Sequence, residues 1–244
     1  MTARASVLLA LMIASACATD PSSPDHDEAS DFDPVAWSPD GKADVSGVPA
    51  VFDKNSIIDD RTFTAAAVDG DAVQHFLEHS PYGRSWLADY TLDGVRFADR
   101  IVAIARADGL DPVVLLVRLQ VESSVVSKSS QPGSATLAYA MGCGCPDGSA
   151  CSHSYHGLSA QLQCAADTYK EWFDASTAGT GEWRLAHTTK SLDGVSVTPH
   201  SNATASIYSY TPWVLVNRGG AWLTWNVSRR FLKAFDDAGT LQLP

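Results

Sequence analysis

The sequence predicts a mainly α-helical domain built around one inner helix. Two observations carry this. The segment "DPVVLLVRLQVESSVV", residues 111–126, is apolar around nearly the whole circumference of a helix, the pattern of a helix packed on every side. The segments around it carry apolar residues at helical spacing on one face, so each has a side to turn to a core. With 45% hydrophobic residues and seven Trp in 244 residues, the chain can bury a core of ordinary size.

Three regions follow in order. Residues 1–17, "MTARASVLLALMIASAC", place Arg4 before an apolar run from Val7 to Ile13, then small residues, then Cys17. The run is too short to span a bilayer and has the layout of a secretory signal. "ASAC" resembles a bacterial lipobox, with Ala14 where Leu, Val or Ile is usual. That resemblance makes Cys17 the lipidated first residue of the mature protein; an ordinary signal peptide cut nearby is the alternative. Residues 18–50 hold eight acids against one base, Lys42, together with Pro21, Pro24, Pro34, Pro39 and Pro49. Such a stretch cannot bury enough apolar surface to offset its ordering entropy, so it reads as a disordered acidic linker. The domain is placed at residues 51–244, with 20 acids and 15 bases.

Within the domain, "DAVQHFLEH" at 71–79 reads as a short helix with Val73, Phe76 and Leu77 on one face. "PYGRSWLADY" gives a turn and a second short helix. "GVRFADRIVAIARADG" puts Val95, Ile101, Val102 and Ala105 on a helical stripe that stops at Gly109. Asp111 caps the inner helix and Pro112 suits its first position. A long loop at 127–153 carries three cysteines and several Gly. "YHGLSAQLQCAADTYKEWFDAS" is helical again. Residues 177–199 are mostly loop, with a short hairpin near "KSLDGVSV". The last two helices are "NATASIYSY", stopped by Pro212, and "AWLTWNVSRRFLKAFDDAG", stopped by Gly239.

The net charge of −11 argues against nucleic acid as a partner. The chemical candidate is Glu122, an acid inside the apolar helix. A buried carboxylate is paired, or it takes up a proton and can serve as a general acid. Arg118, four residues earlier on the same face, offers the pairing. Cys143, Cys145, Cys151 and Cys164 remain after Cys17 and allow three pairings as disulfides, which an exported chain retains. With His153 and His156 they form a zinc alternative, disfavoured by the Cys-x-Cys spacing, and no metal or cofactor is expected. "GLSAQ" lacks the second Gly of a nucleophile elbow. "NAT" and "NVS" fit the glycosylation pattern, which carries little meaning in a bacterial lipoprotein.

Three segments then acquire weight together. Glu122-Ser123 at the end of an apolar helix resembles the catalytic signature of the lysozyme-like lytic transglycosylases. "GLSAQL" at 157–162 is similar to the Gly-Leu-Met-Gln segment of that family, and "ASIYSYTPWV" at 205–214 to its Tyr-Asn-Ala-Gly-Pro segment. The order is the family's. "AMGCGCPD" and "ATASIYSYTP" further resemble a group of exported bacterial cell-wall proteins with a lysozyme-like domain. The resemblance covers residues 97–235 and implies a lysozyme-like fold. It also implies cleavage of peptidoglycan glycan strands with Glu122 as the single acid/base and Tyr208 orienting it. Gln161, Tyr155, Tyr210 and Trp213 are the candidate sugar-groove residues, with plain packing as their alternative. It implies a Cys145–Cys151 disulfide, which leaves Cys143–Cys164. Asp147 and Asp167 are the candidates should a second acid be needed. The departures are Ser209 for Asn, Ala160 for Met, and the 35 residues between Glu122 and Gly157, which imply an insertion at the cleft. A lysozyme-like domain that binds glycan without cutting it is the rival reading. The expected location is the outer membrane, anchored through Cys17 and facing the periplasm, or alternatively outside the cell.

Overall fold

The computed structural model describes residues 47–145 and 151–241. The segment read as an export signal, Cys17, nearly all of the acidic stretch read as a linker, and Asp147 lie outside the described residues.

The fold is mainly helical. Short α1 (Asp60–Thr64) and α2 (Gly70–Glu78) are capped by the side chains of Asp59 and Asp69, which accept from Thr62 N and Ala72 N. A 3-10 turn at Trp86–Asp89 leads into the hairpin of β1 (Thr91–Leu92) and β2 (Val95–Arg96). Asp93 and Gly94 both have positive φ, as a tight two-residue hairpin requires. Then come α3 (Phe97–Ala107), α4 (Pro112–Ser123) and α5 (Ser134–Ala138). After the cysteine loop follow α6 (Leu158–Thr177), the antiparallel hairpin of β3 (Thr189–Lys190) and β4 (Ser196–Val197), α7 (Asn202–Tyr210) and α8 (Gly220–Asp237).

α4 is the inner helix. Every residue from Pro112 to Gln120 is buried, and α3, α6 and α8 pack around it. Asp111 caps it as the sequence predicts, accepting from Val113 N at 2.9 Å. An aromatic cluster joins α2 to α8: Phe76 stacks on Phe235 and meets Phe231 edge-on. No helix among the described residues is long and apolar enough to cross a membrane.

Two expectations change. Val95 is not on the α3 stripe: it lies in β2, 44% exposed, because the Asp93–Gly94 turn pairs it with Leu92. The packed domain also reaches back before residue 51. Val48 is fully buried, and the carbonyls of Val48 and Pro49 accept from Arg229 Nη1 of α8 at 3.2 and 2.6 Å. Trp225 Nε1 donates to the same Pro49 carbonyl.

Candidate functional site

α4 brings Glu122 to an edge of the core. Gln120 is fully buried, Ser123 is buried, and Ser124 at the C-cap has φ 52°, so the chain leaves the helix axis there. Ser123 Oγ donates to Leu119 O and Ala140 O and pins the following loop against the end of the helix. Glu122, in the last turn, is the acid that emerges: its side chain is 26% exposed, against 6% for Arg118.

Arg118 Nη2 meets Glu122 Oε1 at 2.8 Å. Its Nη1 donates to Thr211 Oγ1 at 2.5 Å, and its guanidinium lies 3.6 Å above the Tyr210 ring. Tyr210 donates its hydroxyl to Met141 O at 3.1 Å, and Tyr169 packs beside it at 5.1 Å between ring centroids. Burial is the largest influence on Arg118 and opposes its charge, but Glu122, Tyr169 and Tyr210 together hold its pKa above the ordinary value. Burial also pushes the hydroxyls of Tyr169 and Tyr210 up, so both stay neutral. The second Glu122 oxygen faces Gly142. That glycine has φ +69°, and a Cβ built on it would stand 2.8 Å from Glu122 Oε2.

The Gly142 loop is braced from three sides. Disulfides join Cys145 to Cys151, the pair the sequence resemblance implies, and Cys143 to Cys164, the pair that it leaves. Gln161, on α6, accepts from Met141 N and Cys143 N and donates to Cys143 O and Tyr155 O. These four bonds use the full capacity of a side-chain amide. Tyr155 covers Gly144, where a Cβ would come within 2.4 Å of its ring.

Several expectations therefore shift. Gln161 is completely buried. It holds the loop and does not line a groove. Tyr208 donates its hydroxyl to Lys54 O at 2.8 Å, and its ring stacks on Trp183 at 4.7 Å, so its hydrogen bond is not given to Glu122. Two residues on along α7, Tyr210 is the tyrosine beside the Arg118–Glu122 pair. Tyr155 is 41% exposed at the loop, while Trp213 is half-buried with its backbone N–H donating to Thr211 O. Asp167 is exposed and tied through Gln163 Nε2 to Asp108, just before the N-terminal end of α4. Glu122 is at the other end of that 12-residue helix, roughly 16 Å along its axis. Asp167 is therefore not placed as its partner acid. Thr211, Gly142 and Tyr169 are site residues that sequence reasoning missed. The signal for Gly142 was its place in "AMG", beside a loop already marked by cysteines.

Comparison with protein-family models, with curated proteins and with solved structures finds no match to this chain.

Proposed function

We propose that this chain is an exported lysozyme-like domain that cleaves the glycan strands of bacterial peptidoglycan with Glu122 as its only acid/base. One observation carries the reading: the sealed inner helix ends in a partly exposed carboxylate whose Oε1 meets Arg118 and whose Oε2 faces a disulfide-braced glycine loop. In this mechanism Oε1 remains the acceptor for Arg118, and Oε2 carries the proton. Glu122 gives that proton to the glycosidic oxygen as the C–O bond breaks. The 6-hydroxyl of the muramic residue then attacks the anomeric carbon and returns its proton to Glu122, which closes a 1,6-anhydro ring. Tyr155, at the loop, Tyr210, beside the ion pair, and Trp213 are the aromatic groups for contact with sugar faces.

A second reading is favoured by the Arg118–Glu122 pair itself. A paired carboxylate is an acceptor only, and such a site holds glycan hydroxyls without cutting. Digestion of purified peptidoglycan by wild type and Glu122→Gln, both confirmed as folded by circular dichroism, separates the two. The cleavage reading expects anhydro-muramyl products from wild type alone. Reducing ends would make the enzyme a hydrolase and direct the search for a second acid to Asp147. Co-sedimentation of both proteins with intact glycan, with no soluble product, leaves the binding reading in place.

The anchor belongs to the same proposal. Cys17 carries lipid, and the acidic linker spaces the domain from the outer membrane. Fatty-acid labelling of wild type but not of Cys17→Ser is the expected result; export with both unlabelled removes the anchor.

A further inference from the structure

A second cluster of chemistry lies at the far end of α2 and is unused by the glycan reading. The segment "HFLEH" places His75 and His79 four residues apart, so both project from one face of the helix. Their rings are near-parallel, 4.5 Å between centroids and 26° between planes. Both side chains are exposed and line a surface cleft of about 410 Å³ between the end of α2 and α8.

We propose that His75 and His79 form a two-imidazole site for a divalent transition-metal ion of the Zn²⁺, Ni²⁺ or Cu²⁺ class. Two independent features point to it beyond the spacing. First, the ring of His79 is already oriented: its Nδ1 lies 3.0 Å from the carbonyl oxygen of His75. A backbone carbonyl can only accept, so Nδ1 carries the hydrogen and Nε2 is left with its lone pair outward. This is the arrangement in which ligand histidines are usually held by their surroundings. Second, the pair sits at the C-terminal end of α2, with His79 as the C-cap, where the helix dipole favours a positive charge. No described protein group hydrogen-bonds the ring of His75, so its exposed side chain is free to turn out of the stack and bring a ring nitrogen onto the same ion. Imidazole nitrogens bind zinc at about 2.0–2.1 Å.

The charges around the cleft are compatible with a cation. Lys233 is paired with Asp237 at 2.7 Å, and the Arg230 guanidinium lies 5.2 Å over the Tyr82 ring. Glu78, between the two histidines in sequence, accepts from Gln74 Nε2 and faces Arg84, so it is turned to other partners. Among the described residues no third His, Cys, Asp or Glu completes a three-ligand set. The ion therefore keeps open positions toward the cleft, filled by water or by a ligand group. Copper should bind most tightly, since nitrogen sites follow the order in which Cu²⁺ exceeds both Ni²⁺ and Zn²⁺.

The test is calorimetric titration of the full chain with CuCl₂, NiCl₂ and ZnCl₂, for wild type, His75→Ala, His79→Ala and the double variant. The acidic linker holds His26, so site variants are needed to separate linker uptake from the α2 site. One equivalent bound by wild type should weaken by about ten-fold or more in each single variant and disappear in the double variant. Both side chains are exposed, so the variants should keep the wild-type circular dichroism and unfolding curve. Electron paramagnetic resonance of the one-equivalent Cu²⁺ complex should carry hyperfine structure from two imidazole nitrogens, and from one in each single variant. Uptake unchanged in the double variant, or a wild-type spectrum with a single imidazole nitrogen, overturns the proposal.

Discussion

Arg118 and Glu122 share one ion pair, and its two halves sit in different surroundings. Arg118 is nearly sealed and Glu122 opens toward solvent. Water can solvate a Glu122 that has lost its arginine, but it cannot reach an Arg118 that has lost its glutamate. Truncating the acid is therefore the costlier change. We expect Glu122→Gln to lower stability by about 2–3 kcal/mol while the protein still folds. In an Arg118→Met background the same substitution should cost less, with a coupling of roughly 1–2 kcal/mol between the two sites. Urea denaturation of the four proteins measures it; additive effects would mean the pair contributes nothing to stability. The pair was legible in the sequence, because spacing of i and i+4 on a helix fixes which side chains meet. The choice between Tyr208 and Tyr210 was not. Positions two residues apart on a helix differ by about 200°, and only the packing of α7 against α6 decides which tyrosine looks inward to Lys54 and which to Arg118. Gln161 was misplaced for a related reason. An amide in an apolar stripe serves equally well as a groove contact or a loop clamp until the loop's backbone is in view.

At the scale of elements, the long helices follow from periodicity and capping, and the inner helix was the clearest. The two five-residue helices did not follow. α1 has five residues, too few to show a period, and it is held by tertiary bonds: Asp60 accepts from Ala203 N and Asn202 Nδ2 of α7. α5 is equally short. The cap of α4 carries a pH dependence. Burial pushes the Asp111 carboxyl up to about 7, against the backbone N–H groups of Val113 and Ala67 that favour its charged form. The folded value lies above the unfolded one of about 3.9. The contribution of Asp111 to stability is therefore fully present below about pH 4 and is lost as pH rises through about 7. Relative to Asp111→Asn, whose amide cannot accept both N–H bonds, wild type should lose up to about 4 kcal/mol of its advantage across that window. Unfolding free energies at a series of pH values test this, and parallel curves for the two proteins would refute it. The disulfide that ties the glycine loop to α6 gives a second element-level test. Cys143 and Cys164 are 21 residues apart, and closing a loop of that length stabilises by roughly 3 kcal/mol. The Cys143→Ser/Cys164→Ser variant should lose about that much. It should also loosen Gly142 against Glu122, read as faster amide hydrogen exchange at Met141 to Gly144. Unchanged exchange there would mean that Gln161 and the remaining contacts hold the loop without this disulfide.

Across the whole molecule, the first described residues are stitched to the last helices. Ile57 N and Ile58 N donate to Thr204 Oγ1, and Ser201 Oγ donates to Ile58 O, which ties this strap to α7. Val48 and Pro49 then reach α8 through Arg229 and Trp225. Composition placed the end of the acidic linker at residue 50, because acids and prolines dominate up to that point. Composition is blind to a single buried valine and to carbonyls, which every residue has. The structural boundary thus falls inside the compositional one, and the two make different predictions for truncation. Removing residues 1–44 keeps Val48, Pro49 and their bonds to α8 and should cost less than removing residues 1–50. Removing residues 1–50 withdraws the Val48 side chain and the carbonyls that receive Arg229, whose side chain is almost wholly buried. Burying a Val is worth about 1.5–2 kcal/mol, and each hydrogen bond to a charged group about 1.5–3 kcal/mol. A loss of roughly 4.5–8 kcal/mol is therefore expected from the longer truncation, with Arg229→Met in the same background restoring part of it by removing a buried charge that has lost two acceptors. Equal stability of the two truncated proteins would show that the strap rests on the domain without supporting it.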